Sequence, residues 1–227
     1  FDLEYPYALM KMINDYNKDI KTSDFKKIEF SPESNWEVDF IKPRLWSEAD
    51  SKFWLSFRIG MTMLTEYNVK PIEYYTLIKE DTDKDDELYK IYRPESGKYK
   101  FNKVKPYLQG YDQLKFNQPY LVICSSLKDA MCLKGMGYNI EVVAPDSENV
   151  MIKQYIIDHL KKKYKKIITL FDNDKAGLEA VEKYNKIYNL DGFVINLSKD
   201  ISDAMKEHGF DAVHQHLKPL LKETLKK

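Results

Sequence analysis

The sequence predicts an α/β fold: an α+β amino-terminal subdomain over residues 1–116, then about four parallel strands flanked by helices over 117–227. Three observations carry that expectation. From Pro119 onward, short apolar runs alternate with amphipathic stretches of helical length, the signature of parallel strands joined by right-handed crossovers. Before that point the apolar runs are aromatic and branched, and charged or turn-rich segments separate them. Between the two halves, GYDQLKFNQP (110–119) combines turn residues with a change of pattern.

Taken in order, Leu9, Met12, Ile13 and Tyr16 fit a helical period. Ser47, followed by Glu48, Ala49 and Asp50, reads as a helix start with acids in its first turn. One apolar stripe, Phe53, Trp54, Phe57, Met61 and Leu64, predicts a single helix ending near Tyr67-Asn68-Val69, before Pro71. Tyr74–Ile78 and Leu88–Tyr92 read as strands, and KEDTDKDDE between them as the exposed connection of a hairpin. That acidic connection lacks the glycine and ligand spacing of a helix-loop-helix calcium site. Gln109-Gly110-Tyr111-Asp112 marks a turn.

In the second half, strands are expected at Tyr120–Cys124, Ile140–Ala144, 167–171 and Phe193–Leu197. Helices are expected at Leu127–Met136, Val150–Lys163, Ala176–Tyr188, Ser202–Glu207 and Asp211–Leu225.

Several function classes are excluded or made remote. No apolar run approaches the ~20 residues of a membrane span, and no secretory signal is visible, so a cytoplasmic location is expected. Cys124 and Cys132 are eight residues apart, without a CxxC or paired histidines, so neither zinc nor a disulfide is expected. The formal net charge is zero, which argues against a generally basic nucleic-acid coat. Charge is nonetheless uneven: residues 88–118 hold seven basic residues against Glu95 and Asp112, an asymmetry that attracts phosphate or simply faces solvent.

Candidate chemistry centres on KKIITLFDNDKAG (165–177), a strand that ends in Asp172-Asn173-Asp174 and opens a helix. Residues two apart on a strand share a face, so both carboxylates can project from its carboxyl end. That pair suits a hard cation such as Mg²⁺ or Mn²⁺. The same residues also suit a turn at Asp172 and a helix cap at Asp174. A second acidic loop, Lys199-Asp200-Ile201-Ser202-Asp203, falls on the same rim and favours the metal.

These motifs resemble a Toprim domain, the Rossmann-like metal-binding fold of DnaG-type primases, type IA and II topoisomerases and some nucleases. DNDKAG (172–177) is similar to the DxDxxG form of primases, and KDISD (199–203) to the KDPxD-like motif, with Gly209 closing the helix. KIYRPESGKYKF and GYDQL resemble the basic subdomain preceding Toprim in primases, and SSLKDAMCL the wording of phage primases. The likeness covers about residues 45–209.

What the resemblance implies is a DNA primase, a DNA-directed RNA polymerase that makes short RNA primers by metal-dependent nucleotidyl transfer during replication. It implies Asp172, Asp174 and Asp200 as catalytic metal ligands for Mg²⁺ or Mn²⁺, with Asp129 as an outer partner or a cap. Lys128, Lys175 and Lys199 would meet the triphosphate. Arg93, Lys98, Lys100 and Lys103 would meet template or nascent RNA, with Tyr92 and Tyr99 stacking on bases. Implied partners are single-stranded DNA, ribonucleoside triphosphates, nascent RNA and a replicative helicase, with no membrane. The setting would be a bacterial host cytoplasm if the chain is phage-encoded. An upstream zinc-binding module is also implied, the chain beginning at Phe1.

One position departs from the pattern. Ser125 stands where the family signature has a glutamate, four places before Asp129. Glu148, in the loop after the second strand, either swings into that place or sits in the first turn of the helix that follows. A Toprim nuclease and a catalytically inactive nucleic-acid-binding protein remain the alternatives.

Overall fold

The computed structural model describes residues 37–78, 90–94, 100–103, 107–147 and 150–226. The helix expected around Leu9–Tyr16 and the KEDTDKDDE connection lie outside them.

The second half is built on one parallel sheet: β5 (Tyr120–Cys124), β6 (Ile140–Val143), β7 (Lys166–Phe171) and β8 (Asp191–Val194) in the order β6-β5-β7-β8. Every pairing in it is parallel, with Tyr120 opposite both Ile140 and Lys166. Between these strands run α3 (Leu127–Gly135), α4 (Gln154–Lys163) and α5 (Lys175–Tyr188), and α6 (Ile201–Lys226) follows. Gly209, at φ 76°, divides α6 into two helical stretches, as the pattern around that glycine predicted.

Strand alternation separates two cores. Val122 and Cys124 face one layer, with residues of α3 and α6; Leu121 and Ile123 face the other, with α4 and α5. All four are shielded from solvent, as expected of a central strand covered on both faces. The first layer also takes in Phe57, Ile59, Leu64 and Tyr67 from the amino-terminal half. Burial on this scale contributes about 1.5–3 kcal/mol per large apolar side chain.

Several element bounds in this half need adjustment. The 150–163 helix begins only at Gln154, and the last strand lies at Asp191–Val194 rather than Phe193–Leu197. Gly192 explains the shift: a Cβ there would lie 1.9 Å from Thr169 Oγ1, so only glycine lets β8 pair this closely with β7. The 127–136 helix and the 140–144 strand each end one residue earlier.

The first half departs more. Ser47 does cap α1 (Glu48–Leu55) in a reciprocal capping box with Asp50, whose carboxylate also takes a two-pronged pair from Arg44 at 2.5 and 2.7 Å. The single stripe helix, however, breaks after Leu55 and resumes as α2 (Met61–Glu66). Phe57 and Ile59 are both buried. Two residues apart, they would point to opposed sides of a continuous helix. The break, with Arg58 at φ 59°, turns both inward. The expected hairpin of 74–78 with 88–92 is also replaced. β2 (Ile72–Ile78) pairs antiparallel with the earlier β1 (Glu37–Pro43), and β3 (Lys90–Tyr92) with β4 (Phe101–Lys103). A strand edge accepts any partner that tertiary packing delivers, and the sequence between 74 and 92 does not encode that choice.

Glu141 ties the segment around Lys115 and Phe116 to the sheet. Its buried carboxylate accepts from the Lys115 and Phe116 amides at 2.7 and 3.0 Å and from the Tyr164 hydroxyl. Phe116 sits at φ 54°, a conformation that costs a bulky residue about 1–3 kcal/mol and persists where its surroundings over-determine it. Among the described residues, no helix is long and apolar enough to cross a membrane.

Candidate metal centre

The chain leaves β5 towards β6 on one side and returns to β7 on the other, so the topological switch lies between β5 and β7. Open α/β sheets bind ligands at the carboxyl ends of strands beside such a switch. Ser125 follows β5 there and Asp172 follows β7, and the Asp172 amide donates to Ser125 Oγ at 2.9 Å.

Three carboxylates converge on this spot. Asp129, Asp172 and Asp200 each offer an oxygen, all within 4.8 Å of one another. Asp129 sits in the first turn of α3, where its amide donates to the Ser126 N-cap hydroxyl at 3.2 Å, and that hydroxyl in turn donates to its carboxylate. Ser202 joins two of the acids: its amide donates to Asp129 Oδ1 at 3.2 Å and its hydroxyl to Asp200 Oδ1 at 2.7 Å. Asp200 Oδ1 also accepts from the Asp203 amide at 2.6 Å, at the start of α6. Ser202 is fully buried, so this bracket is shielded from water.

Asp172 differs from its neighbours because no helix start occupies it. It is only 7% exposed, and its Oδ1 is buried without a hydrogen-bond partner. An unpaired carboxylate oxygen in such a place costs free energy unless something cationic meets it. Burial pushes the Asp129 carboxyl up to about 7, with the Asp200 charge adding to the effect. Burial raises Asp172 as well, and Asp200 again adds to it. Crowded, partly desolvated carboxylates are the donor set a hard divalent cation prefers, so these three residues fit a metal.

Asp174 behaves otherwise. It is the N-cap of α5, with Oδ1 accepting from the Gly177 amide at 2.9 Å, and that bond holds its carboxyl below the usual range. It stands outside the triad, although Lys199 links the two sites: Nζ lies 3.5 Å from Asp172 Oδ2 and 3.4 Å from Asp174 Oδ2. Gly177 is needed for a separate reason. A Cβ there would fall 2.0 Å from the Asp172 carbonyl oxygen, so the helix can start this close to the strand end only at a glycine.

Among the basic candidates, Lys128 is half-buried beside the triad, 4.0 Å from Asp203 and 4.3 Å over the Phe57 ring. Burial pulls its ammonium down, but the Asp129 and Asp200 charges outweigh that and leave it raised. Lys175 opens α5 with its side chain 92% exposed, 4.0 Å from Glu179. On the β3–β4 hairpin, Tyr92 stacks on Phe101 at 5.0 Å. Burial raises the Tyr92 hydroxyl, with the charges of Asp203, Asp129 and Asp200 adding to it and that of Lys128 opposing it. Arg93 is partly buried at its end, Lys100 is exposed, and Lys103 lies on β4. Glu148, Lys98 and Tyr99 lie outside the described residues.

Residues 122–206 match the model of the Toprim-like family. The fold of the chain is similar to that of the Aquifex aeolicus primase (zinc-binding and RNA polymerase domains): 16% identity, 76% of this chain covered and a TM-score of 0.51. The chain spans 56% of that protein's length. A further likeness, to the primase fragment of the bacteriophage T7 primase-helicase protein, has 15% identity, covers 78% of this chain and 80% of that one, and reaches a TM-score of 0.47. No curated protein matches the chain by sequence.

Sequence reasoning placed Asp172 and Asp200 on the rim and read Asp129 as an outer partner or cap. The folded chain brings Asp129 into the triad itself. The available signal was its position one helical turn after Ser125. Ser202 had no sequence signal, because a serine in a helix's first turn is commonplace.

Proposed function

We propose that the chain is the RNA-polymerase core of a DnaG-type primase, joining ribonucleoside triphosphates on single-stranded DNA. The observation that carries this reading is the carboxylate triad Asp129, Asp172 and Asp200 at the switch point, together with a buried, unpaired oxygen on Asp172. The basic β3–β4 hairpin beside it and the primase-like fold support the same reading.

Asp129, Asp172 and Asp200 would hold a Mg²⁺ or Mn²⁺ ion, with Asp174 at its margin. Such an ion supplies charge neutralisation on phosphate oxygens and helps ionise an attacking hydroxyl. In the reaction proposed, a ribose 3′-hydroxyl attacks the α-phosphate of an incoming triphosphate, forming a phosphodiester and releasing pyrophosphate. Lys128 holds its charge beside the triad and orients the triphosphate, with Lys175 and Lys199 along the approach. Arg93, Lys98, Lys100 and Lys103 take the phosphates of template or nascent RNA, making affinity fall with salt. A replicative helicase partner, a bacterial cytoplasmic setting and phage origin belong to the same proposal.

A second reading has its own observation. Ser125 spends its hydroxyl on the Asp172 amide and brings no carboxylate, which favours a nucleic-acid-binding protein without catalysis. One assay separates the two, using single-stranded DNA, labelled ribonucleotides and Mg²⁺ or Mn²⁺. New oligoribonucleotides lost in Asp172→Ala support the primase. Salt-sensitive binding without product supports the second reading, and shortened DNA would instead indicate a nuclease.

A further inference from the structure

We infer that this site takes a single divalent ion, because the ammonium of Lys199 occupies the place between Asp172 and Asp174 that a second ion would need. The inference rests on the metal reading of the triad and adds a charge-regulating role for one lysine.

The geometry is specific. Lys199 Nζ stands 3.5 Å from Asp172 Oδ2 and 3.4 Å from Asp174 Oδ2, bridging the two carboxylates of the DNDKAG turn. Its backbone is fixed there as well, since the Asn173 amide donates to the Lys199 carbonyl at 2.6 Å. The loop after β8 is therefore stitched to the loop after β7, which sets the Lys199 backbone beside the two aspartates. The first ion has its own set of oxygens, one each from Asp129, Asp172 and Asp200 within 4.8 Å of one another, and Asp172 Oδ1 is buried without a partner.

The remaining oxygens are poorly supplied for a second ion. Asp174 Oδ1 is committed to the Gly177 amide, and Asp200 Oδ1 to Ser202 and Asp203. Ser125, at the end of the adjacent central strand, adds a hydroxyl already used by the Asp172 amide and no charge. A divalent ion between Asp172 and Asp174 would have two carboxylate oxygens and a like charge in contact with them. A lysine ammonium neutralises the same pair without needing six oxygen ligands. Lys199 is thus a built-in cation, and Ser125 and Lys199 are two sides of one arrangement with fewer acids and one metal.

Mn²⁺ titration of the full chain, followed by calorimetry and by the electron paramagnetic resonance of free Mn²⁺, tests this without any turnover. The wild type is expected to bind one ion per chain, and Asp172→Asn to lose it. Lys199→Met keeps the stem and removes the charge, and its side chain is 56% exposed, so folding is preserved. It is expected to bind a second ion at least tenfold more tightly than the wild type does, whereas Lys199→Arg stays at one. Two ions of comparable affinity in the wild type, or one ion in both wild type and Lys199→Met, would overturn the Lys199 role while leaving the metal triad standing. No Mn²⁺ binding at all, with Asp172→Asn indistinguishable from wild type, would overturn both.

Discussion

The two halves of the chain use the same kinds of strand, and only one of them pairs its strands as its local pattern suggests. In the carboxyl-terminal half, each of β5, β6, β7 and β8 is parallel to its neighbours and enters one sheet through a helical crossover. Handedness and burial on both faces leave few arrangements, so an apolar run followed by an amphipathic helix nearly fixes its own place. In the amino-terminal half, β1–β2 and β3–β4 are separate antiparallel pairs. Nothing in the long stretch between β1 and β2 announces their pairing, which joins residues far apart in the chain. The site follows the same division: its acids stand on the ordered rim, while the basic hairpin beside them is positioned by contacts that no local signal describes.

The largest effect should come from the rim. Asp172→Ala removes the one acid free of helix-capping duty, and metal-dependent product should fall by more than the roughly 10–100-fold typical of losing an outer-shell partner. Survival of synthesis in this variant would move the site away from the switch point. Ser202→Ala should weaken Mn²⁺ binding by about 10-fold, because it removes one of the two hydrogen bonds that orient Asp200, and the same titration would show it.

Gly177→Ala tests how tightly strand end and helix start are joined. Its Cβ would meet the Asp172 carbonyl oxygen at 2.0 Å, so a loss of about 1–3 kcal/mol is expected in urea unfolding, together with weaker metal binding. Glu141→Ala probes the join between the halves. It leaves the Lys115 and Phe116 amides and the Tyr164 hydroxyl without their shared acceptor, for an expected loss of about 1–3 kcal/mol. If the loss were confined to a few tenths, the link would not be held by that carboxylate.

The smallest effect lies in the amino-terminal half. The Arg44 guanidinium beside Asp50 holds its carboxyl well below the usual range, with the Ser47 amide and hydroxyl acting in the same direction. The folded state thus favours the ionised form. Its contribution is present above the unfolded carboxyl's pKa, about 4, and is lost as pH falls below that. Asp50→Asn should cost about 0.5–2 kcal/mol near neutrality and flatten the decline of stability below about pH 4, read by thermal melts across that range.

Much of the site was legible. DNDKAG and KDISD located Asp172 and Asp200 because a strand end followed by an acid is a local event in sequence. Asp174 carried both readings, metal and cap, and its bond to the Gly177 amide shows the cap directly. Asp129 was visible as a residue but not as a member of the triad, since its distance to Asp200 depends on where α3 and α6 lie. By itself the sequence determined the order and type of the second-half elements and the run of acids along their ends, because hydrophobic period and capping act within a few residues. Tertiary structure alone decided the pairing of β1 with β2 and β3 with β4, the break at Ser56–Gly60 that buries both Phe57 and Ile59, and the placing of Lys199 between two aspartates. Those depend on packing and charge between residues far apart in the chain, which no local propensity contains.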